Sequence, residues 1–214
     1  MKSQDVLLLV KLICLEQQER QLAVRTGETV VLNKLSEAPL SDEWQGWDDY
    51  VEQDPPVHHE SYSVRALGAS LGISKSEIAS ALKRCQNVSL LRIDPNTGLP
   101  RVNSSALLSF IEHGLKYVFP AKPAEIVRGI PTGFSAPVLQ GKLLTGGELL
   151  LVWPDAYGKC KGQSVTPLFR TVPGAVKKDP RLYEYLALID AIRIGNAREA
   201  RFACEMLRDK VLQA

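Results

Sequence analysis

The sequence predicts a mainly α fold with one small β-hairpin, α+β in class, whose C-terminal end is a helical hairpin. Three observations carry that reading. Residues 61–102 hold two apolar-periodic segments on either side of L-G-I-S, then two short apolar runs around D-P-N-T-G. Residues 6–15 are apolar at nearly every position. Two amphipathic segments near the C-terminus open on Asp179-Pro180 and on Asn196-x-x-Glu199, both recognisable helix starts.

Ser3 is placed to cap a first helix running to about Gln18, with Asp5 in its first turn, where the helix dipole favours a carboxylate. Val6, Leu7, Leu8, Leu9, Val10, Leu12, Ile13 and Leu15 are too many apolar residues for one stripe, so this helix must be covered on more than one side. Either a second copy of the chain covers it, or the C-terminal hairpin folds back over it.

Residues 19–60 form an insertion whose later part is acidic. Residues 37–60 contain eight acids and no Lys or Arg, whereas residues 61–103 carry six basic residues against Glu77 and Asp94. A short strand at residues 29–32 fits the apolar content there. Trp44, Trp47 and Tyr50 recur every third residue, which suits one face of a short helix that docks its rings on the body.

The 61–102 stretch has chemistry at each boundary. Gly72 permits a sharp turn because it lacks Cβ. Ser74 and Glu77 make S-x-x-E, a capping box for the helix that follows. Ile78, Leu82 and Cys85 fall on one stripe of that helix, leaving Lys75, Ser76, Ser80, Lys83, Arg84 and Asn87 on other faces. Residues 88–93 and 99–102 flank a turn rich in Pro, Asn and Gly, with Arg92 and Arg101 at the base of the hairpin. Asn103 caps a helix to about Tyr117, with Leu107, Phe110, Ile111, Leu115 and Val118 inward.

From residue 121 to 147 Pro and Gly recur without period, yet the segment is too apolar for a tether. It reads as an extended segment laid against other elements, followed by a short buried strand or helix fragment at 148–153. After Asp179-Pro180, residues Leu182, Tyr185, Leu186, Ile189 and Ile192 form a core stripe to Gly195, and a last helix reaches about Leu212.

Composition narrows the class. Charged residues at 23% and hydrophobic residues at 45% are ordinary for a globular protein. No apolar run approaches the roughly 20 residues a membrane span needs. No small-residue cleavage site follows residues 6–10. A cytoplasmic protein is expected. Cys14, Cys85, Cys160 and Cys204 are widely spaced without C-x-x-C, which fits buried free thiols. Gly146-Gly147 lacks the Lys-Ser/Thr of a phosphate loop, Ser135 and Ser164 have no recognisable His or Asp partner, and the adjacent side chains of His58 and His59 diverge. No enzymatic activity, metal or cofactor is expected.

L-G-A-S-L-G-I-S, the S-x-x-E cap and the Gly-containing hairpin turn together resemble a winged helix-turn-helix domain of the MarR-like bacterial regulator type, across about half the chain. Gly68 stands where that family usually has Ala, a small residue where two helices pack closely. R-G-I-P-T-G-F-S-A-P and V-W-P-D-x-x-G-x-x-x-G-Q, with the last helical pair, resemble uncharacterised bacterial winged-helix proteins. The resemblance implies a domain over residues 1–118 and a C-terminal region over 119–214. It also implies a transcriptional regulator that binds double-stranded DNA as a homodimer. The helix at 75–87 would enter the major groove and the wing at 88–102 would lie on the backbone. Lys75, Ser76 and Ser80 would meet base edges or nearby phosphates, and Lys83, Arg84, Arg92 and Arg101 would meet phosphates. The alternative is a protein-interaction module, antitoxin-like or scaffolding, docking through residues 128–137, opened by Arg128 and closed by Pro137. The dimer interface would draw on residues 3–15, on the helices at 180–212, or on both.

Overall fold

The first helix, α1 (Ser3–Gly27), extends well past the end expected near residue 18. The computed structural model describes residues 1–27, 45–54, 58–142 and 149–212, so the strand expected at residues 29–32 and Trp44 lie outside the described residues. Ser3 is the first helical residue, and the Asp5 carboxylate accepts from Lys2 N–H at 2.7 Å. Residues 6–15 are buried throughout, Val6, Leu7, Leu8 and Leu9 completely. The helix that covers them from the far side, α7 (Pro180–Ile194), belongs to the same chain. The apolar surface that suggested a second copy is therefore covered intramolecularly.

α2 (Val64–Leu71) packs on α3 (Lys75–Asn87), and α3 lies against α1 together with a hairpin of β1 (Leu91–Ile93) and β2 (Pro100–Val102). The hairpin turn is built as its composition suggests. Asp94 accepts from Asn96 N–H at 3.0 Å and from the Thr97 hydroxyl at 2.9 Å, and Gly98 takes φ 69°. Such Asx geometry gives the turn its own hydrogen bonds independent of the ladder. Asn103 caps α4 (Ser104–His113) through Ala106 N–H at 3.2 Å. The single helix expected to residue 117 is interrupted at Gly114, and one more turn follows as α5 (Leu115–Val118). Leu107, Ile111 and Leu115 are buried as the periodicity requires, while Val118 is exposed because the break at Gly114 takes it off the stripe.

The C-terminal half holds a second sheet. β3 (Ile126–Pro131), β4 (Leu151–Pro154) and β5 (Cys160–Ser164) each pair with both of the others, β3 antiparallel to each and β4 parallel to β5, so three strands close on themselves. Closure this tight forces backbones together. A Cβ on Gly129 would run into the Trp153 carbonyl, and one on Gly162 into that of Leu150. Only a residue without Cβ fits such a crossing. β3 lies within the extended segment expected at 121–147, and β4 resolves as a strand the stretch that could have been strand or helix fragment.

α6 (Val172–Val176) and the helical pair α7 and α8 (Ala197–Leu212) complete the chain. Asp179 caps α7 by accepting from Arg181 and Leu182 N–H, both at 3.0 Å. Asn196 and Glu199 form a reciprocal box, Glu199 N–H to Asn196 Oδ1 at 3.0 Å and Asn196 N–H to Glu199 Oε2 at 2.9 Å. α7 is buried nearly all round rather than on one stripe, because α1, α8 and the 3-10 turn at Gly133–Ser135 all pack on it. Its single buried acid, Asp190, is 1% exposed. It accepts from Arg193 Nη1 (2.6 Å), Trp153 Nε1 (2.6 Å) and the Thr132 hydroxyl (3.0 Å). A buried charge needs that number of partners to be tolerated.

Residues 45–54 of the acidic insertion are not helical; they cross the molecule as a strap. Trp47 is buried, bridges to Gly158 and meets Tyr183 edge-on at 6.5 Å, whereas Tyr50 is 91% exposed. Two lysines clamp the strap. Lys11 of α1 donates to Asp54 at 2.5 Å and to Asp179 at 2.9 Å; Lys177 donates to Asp49 at 2.8 Å and to Asp155 at 3.1 Å. Among the described residues no helix is long and apolar enough to cross a membrane.

Candidate functional site

The α2–α3 unit is fixed by its caps and by one close approach. Ser63 Oγ accepts from Ala66 N–H at 3.1 Å to open α2, and Gly72 ends it at φ 65°. A Cβ on Gly68 would sit 2.7 Å from the Ile73 carbonyl oxygen, so the position demands the smallest residue for the turn to fold back against α2. Ser74 Oγ accepts from Glu77 N–H at 3.4 Å and opens α3. The expected capping box is half formed. The Glu77 carboxylate turns away from Ser74 and accepts from Arg84 Nη2 (2.7 Å), Lys2 Nζ (3.2 Å) and Gln4 Nε2. Three cationic or amide donors outbid one backbone N–H, because hydrogen bonds between charged groups are the stronger kind.

Ile78, Ala81 and Cys85 face the core, with Leu82 partly covered. Burial pushes the Cys85 thiol up to about 12, so it is a packing residue and not a reactive one. The opposite face of α3 presents Lys75, Ser76, Ser80 and Lys83, all exposed. Neither lysine makes an ion pair among the described residues. Arg92, on β1, is exposed in the same way.

The remaining two cations of the expected set face inward. Arg84 donates through Nε (3.0 Å) and Nη2 (2.6 Å) to the two oxygens of Asp5, a carboxylate with no solvent exposure. Its guanidinium is held firmly protonated, first by that hydrogen bond, and it pins α3 to the start of α1. Arg101 stands opposite Arg92 in the hairpin register. It forks onto Glu19 of α1 at 2.6 and 3.1 Å and lies over the Tyr62 ring at 5.5 Å. The hydrogen bond from Arg101 holds the Glu19 carboxyl below its ordinary range. Both arginines serve as struts, and their charge is neutralised inside the chain.

Beneath the hairpin a cleft of about 640 Å³ is bounded by Glu16, Glu19, Arg20, Arg92, Asp94 and Arg101. Its acids are engaged. Glu16, whose carboxyl burial pushes up, accepts from Val102 N–H at 2.8 Å; Glu19 is held by Arg101; Asp94 closes its own turn. The cleft is a brace between α1 and the hairpin.

The other sequence candidates are scattered. Ser135 Oγ accepts from Leu151 N–H at 2.8 Å, Ser164 is buried in β5, and His58 and His59 are exposed. Gly146 and Gly147 lie outside the described residues. The four cysteines are free, with Cys160 alone only partly buried. Among the described residues no group of three or more His, Cys, Asp or Glu side chains could hold a metal ion. Of residues 128–137, Arg128 is exposed, Gly129 to Gly133 are buried, and Ala136 is covered as well. The two lysine clamps were not anticipated, although Lys11 carried a signal: a lone charge amid apolar residues 6–15 must find a buried partner.

Comparison with protein-family models, with curated proteins and with solved structures finds no match to this chain.

Proposed function

We propose that the chain is a winged helix-turn-helix protein that binds double-stranded DNA, with α3 in the major groove and the β1–β2 hairpin on the backbone, and that it acts as a transcriptional regulator of the MarR-like type. The observation that carries this reading is the outer face of α3. Lys75, Ser76, Ser80 and Lys83 project from it together, and the one acid of the helix, Glu77, is drawn aside by Arg84, Lys2 and Gln4. A cationic, hydroxyl-bearing helix face free of opposing carboxylates suits phosphate attraction and groove hydrogen bonding. Lys75, Ser76 and Ser80 take the base-edge and nearby phosphate positions; Lys83 and Arg92 take phosphates. Arg84 and Arg101 contribute by holding α3 and the hairpin on α1. The protein-interaction reading loses its docking segment, since most of residues 128–137 are covered within the chain.

Hydrogen exchange with and without a mixed-sequence DNA duplex tests the proposal. Slowed exchange in α3 and β1–β2, with α8 unchanged, is the expected result. A duplex that binds while leaving α3 unprotected would contradict it.

A further inference from the structure

We infer that the C-terminal region extends the duplex-binding surface, with Arg170 contacting a backbone phosphate beside the N-terminus of α3; the inference rests on the reading above. Residues 170–178 pack against α2 and its turn and not only against their own half. The methyl group of Thr171 lies 3.3 Å from where a Cβ on Gly72 would be, so the chain at 171 is in direct contact with the α2–α3 turn. α6 packs on α2, and Lys178 Nζ donates to the Ala69 carbonyl in the last turn of α2 at 2.9 Å. That bond satisfies a helix-end carbonyl and places a cation at the negative end of the helix dipole. Position 170 is thus carried rigidly with the unit that presents α3.

Arg170 itself is exposed and makes no hydrogen bond or ion pair among the described residues. An extended arginine sets its guanidinium roughly 6 Å from its own Cα. Gly72 is two residues before the α3 cap Ser74, so the guanidinium is in reach of the strand that flanks the N-terminal turn of an inserted α3. In that geometry the helix before the turn, here α2, crosses the DNA backbone, and arginine is suited to phosphate oxygens by its forked donors. The contact would add affinity without sequence preference. It also gives the C-terminal half a part in binding that its distance in sequence from the helix-turn-helix conceals.

The experiment measures binding of a mixed-sequence duplex by fluorescence anisotropy against salt, for wild type, Arg170→Ala, Arg170→Lys, Lys75→Ala/Lys83→Ala and the remote control Arg198→Ala. Loss of one phosphate contact lowers the slope of log affinity against log salt by about 0.9, which is a roughly tenfold loss at about 0.1 M salt. Arg170→Ala should show that change with an unaltered melting temperature, Arg170→Lys should retain the slope, and Arg198→Ala should match wild type. An unchanged slope in Arg170→Ala, alongside weakened binding in Lys75→Ala/Lys83→Ala, would overturn the role of Arg170 and leave the α3 reading standing. Absence of duplex binding by wild type would overturn both. Equal losses in Arg170→Ala and Arg198→Ala would reduce the effect to net charge and overturn the local contact.

Discussion

Lys11 and Lys83 carry the same ammonium group, and the fold uses them in opposite ways. Lys11 is 2% exposed and shared between Asp54 and Asp179, tying α1, the strap and the start of α7 into one cluster. Lys83 stands on the outer face of α3 with no ion pair among the described residues. Lys177 behaves like Lys11, and Lys75 and Arg92 like Lys83, while Arg84 and Arg101 sit between, half-covered and paired to α1. Charge around the α2–α3 unit therefore divides into cations that build the scaffold and cations left exposed. On the DNA-binding reading proposed above, only the second group can release counterions from a duplex.

Removing a scaffold cation should have the largest effect on stability. Lys11→Ala leaves the buried Asp179 without its ammonium; breaking a buried pair from one side costs about 3–5 kcal/mol. The expected outcome in urea unfolding is a much lower midpoint. A midpoint within error of wild type would mean that the clamp contributes nothing, and would undo the division drawn above.

An intermediate cation should give a smaller effect that depends on pH. The folded Glu19 carboxyl titrates below its ordinary 4.5, so its stabilising contribution is present above that pH and is lost as pH falls through the folded value. Glu16 has the opposite sign, since burial raises its carboxyl: its contribution is complete below 4.5 and is lost as pH rises. Arg101 favours the charged form of both. The stability gap between wild type and Arg101→Met should be full at neutral pH and close as the solution is acidified. Because Glu19 is 38% exposed, solvent screening keeps the Arg101–Glu19 pair to roughly 0.2–1 kcal/mol. A gap constant from neutral pH to pH 3, well below the ordinary value, would contradict the pairing.

Much of the fold was legible where the cause is local. The Ser74, Asn103 and Asp179 caps, the Gly72 turn, the Asp94 hairpin turn and the Asn196–Glu199 box each depend on a few consecutive residues, and the boundaries they set are close to those observed. The second sheet was only half legible. β5 reads C-K-G-Q-S, without the alternation that marks a strand, and it exists because β3, some thirty residues earlier, pairs along it. The partners of Glu77 were hidden for the same reason. Its local pattern promised a return bond to Ser74, and donors 73 and 75 positions away took the carboxylate instead. At the candidate site the sequence listed seven residues on one surface. Which of them point outward depends on Asp5 and Glu19 of α1, whose pairing with Arg84 and Arg101 no spacing rule foretells.

The smallest effect on stability, and the most direct test, belongs to the outward group. Lys75→Ala/Lys83→Ala/Arg92→Ala removes exposed side chains that make no cap hydrogen bond, so its unfolding free energy should stay within about 0.5 kcal/mol of wild type for each site. The salt dependence of duplex affinity is the decisive measurement on that variant. The division between scaffold and outward cations predicts a slope shallower by about 2.7, three contacts at about 0.9 each, with the protein still folded. A folded triple variant that binds duplex with the wild-type slope would contradict it.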